Sequence, residues 1–292
     1  MAIRDYRTSL KQFLPVEGGR IAYTLAGDPS APPLIFIHGW LSHGGIWRTL
    51  AEMLQQKYSC VMVDLLGLGD SDKPSDGDYS IAAQGRRVLA LADALGIQRF
   101  TLIGHSMGGQ IALCIAGQLA PERVVALVDV SGVATGKLMP TVRNIFLPRM
   151  RMALGQPWVW KLTRWYNQWP VMARLEFSNW FYNSHQIPFA DWAIDRHYAL
   201  QPDMHTSAYR TGQAIMVTDL SAYLSSITVP TLVLFGAQDA VVPVREGEVV
   251  AECVPGARLK LLDNCGHFPM LEKAEPTRAV IKAFLEEHLQ QG

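Results

Sequence analysis

The stretch Phe100-Thr101-Leu102-Ile103-Gly104-His105-Ser106-Met107-Gly108-Gly109-Gln110-Ile111 decides how the rest of the chain is read. Phe100–Ile103 is a short, continuous apolar run of the kind that forms a buried strand. The residues from Ile111 to Ala116 are apolar and read as a buried helix. The string Gly104-x-Ser106-x-Gly108 therefore falls on a strand-to-helix corner. A serine at so sharp a turn pushes its hydroxyl forward, and the flanking glycines let strand and helix approach each other. The first amides of the helix then point at any oxyanion that forms beside the serine.

A serine hydroxyl needs a base at neutral pH, and that base needs an orienting acid. Two loops supply candidates. Thr231–Gly236 reads as a buried strand, with Asp239 in the loop behind it, closed by Pro243. Arg258–Leu262 reads as a further strand, and His267 follows between Gly266 and Pro269. Both residues thus sit at the C-terminal ends of strands, where open parallel sheets place functional groups. The order Ser106, Asp239, His267 is one of three known chain orders for such triads. Asp129, in the apolar run Val124–Val130, is the rival acid. A second oxyanion donor comes from His38-Gly39-Trp40, after the apolar run Leu34–Ile37: the backbone N–H of Trp40 pairs with that of Met107.

These motifs, with Asp64-Leu65-Leu66-Gly67-Leu68-Gly69-Asp70-Ser71, resemble the α/β-hydrolase superfamily in its lid-containing, carboxylesterase- and lipase-like form. The resemblance runs from about Phe13 to about Leu289, apart from the lid. It implies an eight-stranded, mostly parallel sheet with helices on both faces and an inserted helical lid. The core spans 1–134 and 224–292, and the lid 135–223. It implies hydrolysis of carboxylic esters through Ser106, His267 and Asp239 and an acyl-enzyme. The same machinery serves cleavage of carbon–carbon bonds in dienoic diketo acids, lactones, amides or thioesters, and perhydrolysis. Serine at the elbow, where relatives acting on haloalkanes or epoxides carry aspartate, counts against those two reactions. A reading of another class is a ligand-binding protein of this fold without turnover.

The chain itself agrees with that architecture. A Glu17-Gly18-Gly19 turn joins two strands, Gln12–Val16 and Arg20–Leu25. Strand and helix patterns then alternate, with helices near Ile46–Gln56, Ile81–Leu95 and Pro276–Leu289, which implies a sheet covered on both faces. The alternation stops between about Thr135 and Tyr223, where Pro140, Pro148, Pro157, Pro170, Pro188 and Pro202 interrupt helical patterns. This region holds six of the eight tryptophans: Trp158, Trp160, Trp165, Trp169, Trp180 and Trp192. Most are expected to fix the lid to the core, and two or three to line an apolar pocket with Met139, Met150, Met152 and Met172.

The other polar residues have structural readings. His38 packs under the oxyanion loop, Asp64 and Asp70 cap amides of a glycine-rich loop, and His105 is buried scaffold directed away from the nucleophile. His43, His185, His197 and His205 are read as surface or lid residues. Cys60 and Cys114 are small buried hydrophobes, Cys265 lies near the pocket mouth in a structural role, and Cys253 has no assigned role. The four cysteines show no metal-like spacing, so neither metal nor cofactor is indicated. With 26 basic and 26 acidic residues the net charge is zero, which argues against a nucleic-acid or anionic-membrane partner. Met1–Arg7 has no apolar leader, and no apolar run approaches a membrane span. The expectation is a cytoplasmic monomer or homodimer, not integral to a membrane, that acts on a small apolar ester.

Overall fold

The computed structural model describes residues 11–289 apart from 178, 179 and 188; of residues 170, 176, 177, 186 and 189–192 it describes the backbone alone. The reading of Met1–Arg7, Pro188 and the Trp192 side chain thus falls outside the described residues. Eight strands form one sheet: β1 Gln12–Val16, β2 Gly19–Ala26, β3 Pro33–Ile37, β4 Ser59–Val63, β5 Phe100–His105, β6 Val124–Val130, β7 Thr231–Gly236 and β8 Arg258–Leu262. Their order is β1-β2-β4-β3-β5-β6-β7-β8. β1 and β2 pair antiparallel and β2 joins β4 antiparallel, while β4 through β8 run parallel.

Apolar runs occupy the middle of the sheet because both faces there are covered: every residue of β4, β5 and β7 is buried. The strands alternate between two cores. Ile35, Ile37, Val61, Val63, Leu102, Leu127 and Val233 face one core, while Leu34, Phe36, Cys60, Met62, Ile103, Val128 and Leu232 face the other. Helices α1 (Arg48–Leu54) and α2 (Ile81–Ala94) lie on opposite faces. Leu50 and Leu54 pack into the second core, Val88 and Leu91 into the first. The sheet's margins are protected differently. Edge strand β8 exposes Arg258 and Lys260, and charge on an edge discourages further strand pairing.

The order places a switch point at the centre. β3 pairs with β4 on one side and β5 on the other, so the loops after β3 and β5 leave in opposite directions and open a crevice at their carboxyl ends. α3 (Met107–Cys114) follows β5 directly. One boundary differs slightly from the sequence pattern: a 3₁₀ turn at Gly44–Trp47 precedes α1 and takes the first residues read as helix.

After β6 the strand–helix alternation gives way to α4 (Leu147–Gly155), α5 (Pro157–Tyr166), α6 (Pro170–Phe177), α7 (Phe189–Ala199), α8 (His205–Val217) and α9 (Ser221–Leu224) before β7 resumes the sheet. Leu147, Met150, Val159, Trp160, Ala208 and Ile215 from these helices join the first core. Beyond β7 come α10 (Val244–Cys253), α11 (Pro269–Glu272) and α12 (Ala274–Leu289), the last packing Ile281, Phe284 and Leu285 under the second core.

The chain leaves β6 for these helices at a point clamped by one carboxylate. Glu246 of α10 is buried and accepts from the amides of Ala134 at 2.8 Å and Thr135 at 2.6 Å, and from the Thr135 hydroxyl at 2.6 Å. Glu246→Ala leaves these donors without an acceptor. It is expected to lower the unfolding free energy by at least about 2 kcal/mol, since each orphaned buried polar group costs roughly 1–3 kcal/mol. Urea denaturation checks this, and a variant as stable as the parent would refute the clamp.

Candidate active site

Ser106 ends β5 and starts α3 with φ 55° and ψ −116°, a left-handed conformation that an L-residue adopts only under constraint. The constraint is visible. Its amide donates to the carbonyl of Val130 at 2.9 Å, and its own carbonyl accepts from Gln110 at 3.1 Å. Gly108 is required for the same reason: a Cβ there would meet the carbonyl oxygen of Ile37 at 2.2 Å. The tight corner predicted at Gly104–Gly108 is thus present, and it seats Ser106 at the mouth of the crevice.

His267 follows β8 as expected, and its Nδ1 donates to Asp239 Oδ2 at 2.8 Å. The other carboxylate oxygen of Asp239 accepts from the amides of Val241 at 2.8 Å and Val242 at 2.9 Å. Both side chains are buried. Three donors thus satisfy the Asp239 carboxylate, which orients the imidazole and leaves its Nε2 without a role in this pair.

The oxyanion loop presses on the elbow, for a Cβ on Gly39 would lie 3.0 Å from the Ser106 Cβ. The amide of Met107 begins α3, where helical amides lack internal acceptors. Among the described residues, neither it nor the Trp40 amide donates to a protein acceptor. The Trp40 indole donates to the carbonyl of Ala208 at 2.7 Å and so fixes this loop against α8.

Asp129, the rival acid, makes no hydrogen bond to His267. It lies within β6 opposite Gly104, fully buried, and neither of its oxygens has a hydrogen-bond partner. Burial, reinforced by the charge of Glu246, pushes its carboxyl up to about 8. The neutral acid therefore prevails in the folded protein at neutral pH.

The histidines sort themselves by their partners. His38 accepts from the amide of Leu65 at its Nε2, so its proton is on Nδ1 and goes to the Gly39 carbonyl at 2.7 Å. Burial lowers its pKa to about 4, which keeps it a neutral brace under the oxyanion loop, as the sequence suggested. His105 is buried as expected, and it has a further contact. Its Nε2 donates to the carbonyl of His267 at 2.8 Å, tying the elbow to the loop after β8. Burial, with the nearby His267, drives its pKa well below the ordinary value.

His43 departs from the sequence reading. It is buried, bonds Asp195 of α7 at 2.9 Å and stacks on Tyr198 with ring centroids 3.9 Å apart. A histidine in a loop outside any strand-end pattern carries no signal that a helix about 150 residues later will cover it. Asp64 caps the amides of Gly44 and Asp70, but Asp70 receives Lys11 and the Tyr198 hydroxyl instead of amides. His185 and His197 are exposed and His205 half-buried, all on the helical segment.

A cleft bordered by Trp40 and by Phe268, the neighbour of His267, is lined further by Leu41, Ile46, Trp180 and Phe181, with Ser42, Asp195, Arg196 and Ala199 completing it; Ser106 and His267 are not among its lining residues. Its wall is tied to the loop of His267: the amide of His267 donates to the carbonyl of Trp180 at 3.0 Å, and Glu272 accepts from Gly266 and Tyr182. The tryptophans distribute otherwise than expected. Trp180 lines the cleft and Trp160 is buried, whereas Trp158, Trp165 and Trp169 are exposed. None of Met139, Met150, Met152 and Met172 lines the cleft; Met150 packs into the core, and Met152 and Met172 face solvent. Cys60, Cys114 and Cys265 are buried, Cys253 is exposed, and all four thiols are free. Among the described residues no group of three or more His, Cys, Asp or Glu is placed to hold a metal ion, and no helix is long and apolar enough to cross a membrane.

A sequence model of the family described as alpha/beta hydrolase fold matches residues 32–274. A pimeloyl-[acyl-carrier protein] methyl ester esterase of Nitrosomonas europaea is 29% identical over 247 residues, covering 84% of this chain and 92% of that protein. Lipase 3 of a Moraxella species is 25% identical over 283 residues, covering 94% and 84%. Among solved structures, a bacterial membrane phospholipase A superposes with a TM-score of 0.79 at 26% identity, covering 96% of this chain and 87% of that one.

The state of Asp129 has a measurable consequence. Its carboxyl holds a proton more tightly folded than unfolded, so its contribution is complete below about pH 4 and lost as pH rises through about 8. Asp129→Asn stays neutral throughout. Its melting temperature relative to the parent should therefore climb between pH 5 and pH 8.5, and a constant difference would show that Asp129 is ionised in the folded protein.

Proposed function

The chain belongs to the alpha/beta hydrolase fold family and is a hydrolase of that fold; from that premise we propose that it is a serine hydrolase cleaving carboxylic esters with an apolar acyl or alcohol part. The observation that carries this reading is the Asp239–His267 pair at 2.8 Å, fastened through His105 to the elbow that holds Ser106 in a left-handed turn.

In this mechanism His267 Nε2 takes the Ser106 proton as the hydroxyl attacks the ester carbonyl, and Asp239 stabilises the imidazolium through Nδ1. The amides of Trp40 and Met107 receive the oxyanion; removing one such donor typically costs roughly 10²–10³ in rate. His267 then protonates the leaving alcohol. Water, deprotonated by the same nitrogen, attacks the acyl-enzyme and frees Ser106. No step requires a metal or an organic cofactor.

Residues 135–223 act in this proposal as a cap over the core of 1–134 and 224–292. The cleft it roofs supports an apolar substrate, since aromatic and aliphatic side chains make most of its wall. Its charged corner weighs against the carbon–carbon reading, in which a cation must hold a substrate carboxylate. Arg196 donates to the Asn167 carbonyl at 2.8 Å, and Asp195 beside it would repel an anion.

Ser106→Ala should abolish both ester turnover and labelling by a fluorophosphonate probe with the fold unchanged. Asp239→Asn should lower kcat/KM by a factor on the order of 10⁴. If Asp239→Asn stays near the parent while Asp129→Asn is inactive, the acid is Asp129. A ligand-binding protein without turnover would leave the probe unreacted in the parent as well.

The cleft also sets a chain-length rule. Each methylene moved from water into it contributes about 0.8 kcal/mol, roughly a factor of four. With p-nitrophenyl esters of graded acyl length, kcat/KM should rise for a few carbons and then fall. Trp180→Ala should move that optimum to longer chains, and an optimum that does not move would separate Trp180 from acyl selection.

A further inference from the structure

The helical segment between β6 and β7 turns an apolar, basic face to solvent. On α5, Val159, Trp160 and Thr163 are buried against the core. At offsets of four and three residues on the outer side, Trp158, Leu162 and Trp165 are 57, 48 and 59% exposed, and Trp169 just beyond the helix is 61% exposed. A surface helix ordinarily keeps its outer side polar, and neighbouring exposed tryptophans are not the scattered apolar residues of an ordinary surface.

Charge identifies the partner. From residue 137 to residue 175 the chain has seven lysines and arginines and no aspartate or glutamate. Exposed Arg151 and Lys161 form no ion pair with any described residue. A second copy docking symmetrically on this face would bring cations against cations. Anionic lipid headgroups neutralise them, while indole rings and leucine enter the boundary between headgroups and acyl chains. We propose that this face docks the protein on the surface of a membrane rich in anionic lipid. The proposal departs from the sequence-based expectation of no anionic-membrane partner: charge that cancels over the whole chain does not cancel between residues 137 and 175.

The proposal is independent of the hydrolase reading, because flotation with vesicles measures association without turnover. The full-length protein should float with phosphatidylglycerol–phosphatidylcholine vesicles at low salt, much less with phosphatidylcholine alone, and should be released at high salt. Each cation near such a surface strengthens binding by about fivefold, so Arg151→Ala/Lys161→Ala should weaken it by about an order of magnitude or more. Trp158→Ala/Trp165→Ala should weaken it by at least about tenfold, with melting temperatures unchanged in both variants. If a variant misfolds, quenching of the parent's tryptophan emission by brominated lipid tests insertion directly. Failure of the parent to bind anionic vesicles, or binding that neither double variant weakens, would overturn the proposal. So would a dimer seen by ultracentrifugation that Trp158→Ala/Trp165→Ala dissolves in a protein that binds no vesicles, since the face would then belong to a second copy.

Discussion

Everything at the candidate site depends on one strained residue. Ser106 in a left-handed conformation costs of order 1–3 kcal/mol, and such strain persists only where the surroundings over-determine it. Here the surroundings are the centre of the sheet. β5 is paired on both sides, β6 accepts the Ser106 amide at Val130, and α3 is held so close to β3 that only glycine fits at 108. A substantial buried core therefore stands behind one backbone torsion. The loop of His267 is attached to the same point, since His105 of β5 donates to the His267 carbonyl. Ser106 and His267 are thus referred to one strand end.

Buried carboxylates show how the fold sorts charge. Asp239, Asp64 and Glu246 each accept several donors, which offset the loss of water around a buried carboxylate. Asp129 has no donor and lies close to the backbone of Gly109 and Gly132, so it keeps its proton. Two aspartates at adjacent strands thus sit in opposite settings, one with three donors and one with none, and the distinction rests on local donors and not on residue type. The histidines follow the same rule: burial leaves His38 and His105 neutral and hydrogen-bonded to carbonyls, where they brace loops.

The helical segment between β6 and β7 has apolar side chains on two sides for different reasons. Its inner side completes the first core and contributes Trp180, Phe181 and Ala199 to the cleft. Its outer side carries tryptophans that no described residue covers. The polar chain from Lys11 and Asp70 through Tyr198 to His43 and Asp195 joins this segment to the loops of the core.

The strands, the elbow, the positions of Asp239 and His267 and the break after β6 were all legible in the sequence. Each is a local pattern: an apolar run of strand length, a glycine or proline beside a functional residue, a change of period. Local patterns carry such information because backbone sterics and burial act within a few residues. Tertiary structure alone decided the rest. Asp129 and Asp239 have similar sequence settings, and only the fold brings one to His267 while enclosing the other without partners. His43 looked like a surface residue because Asp195 and Tyr198, which bury and bond it, lie on a helix about 150 residues away. Tryptophans at 158, 160, 165, 169 and 180 are chemically alike, yet the packing of the segment on the core assigns them to cleft, core or solvent. A zero net charge is likewise a sum over the chain, whereas a partner meets only the face that the fold presents.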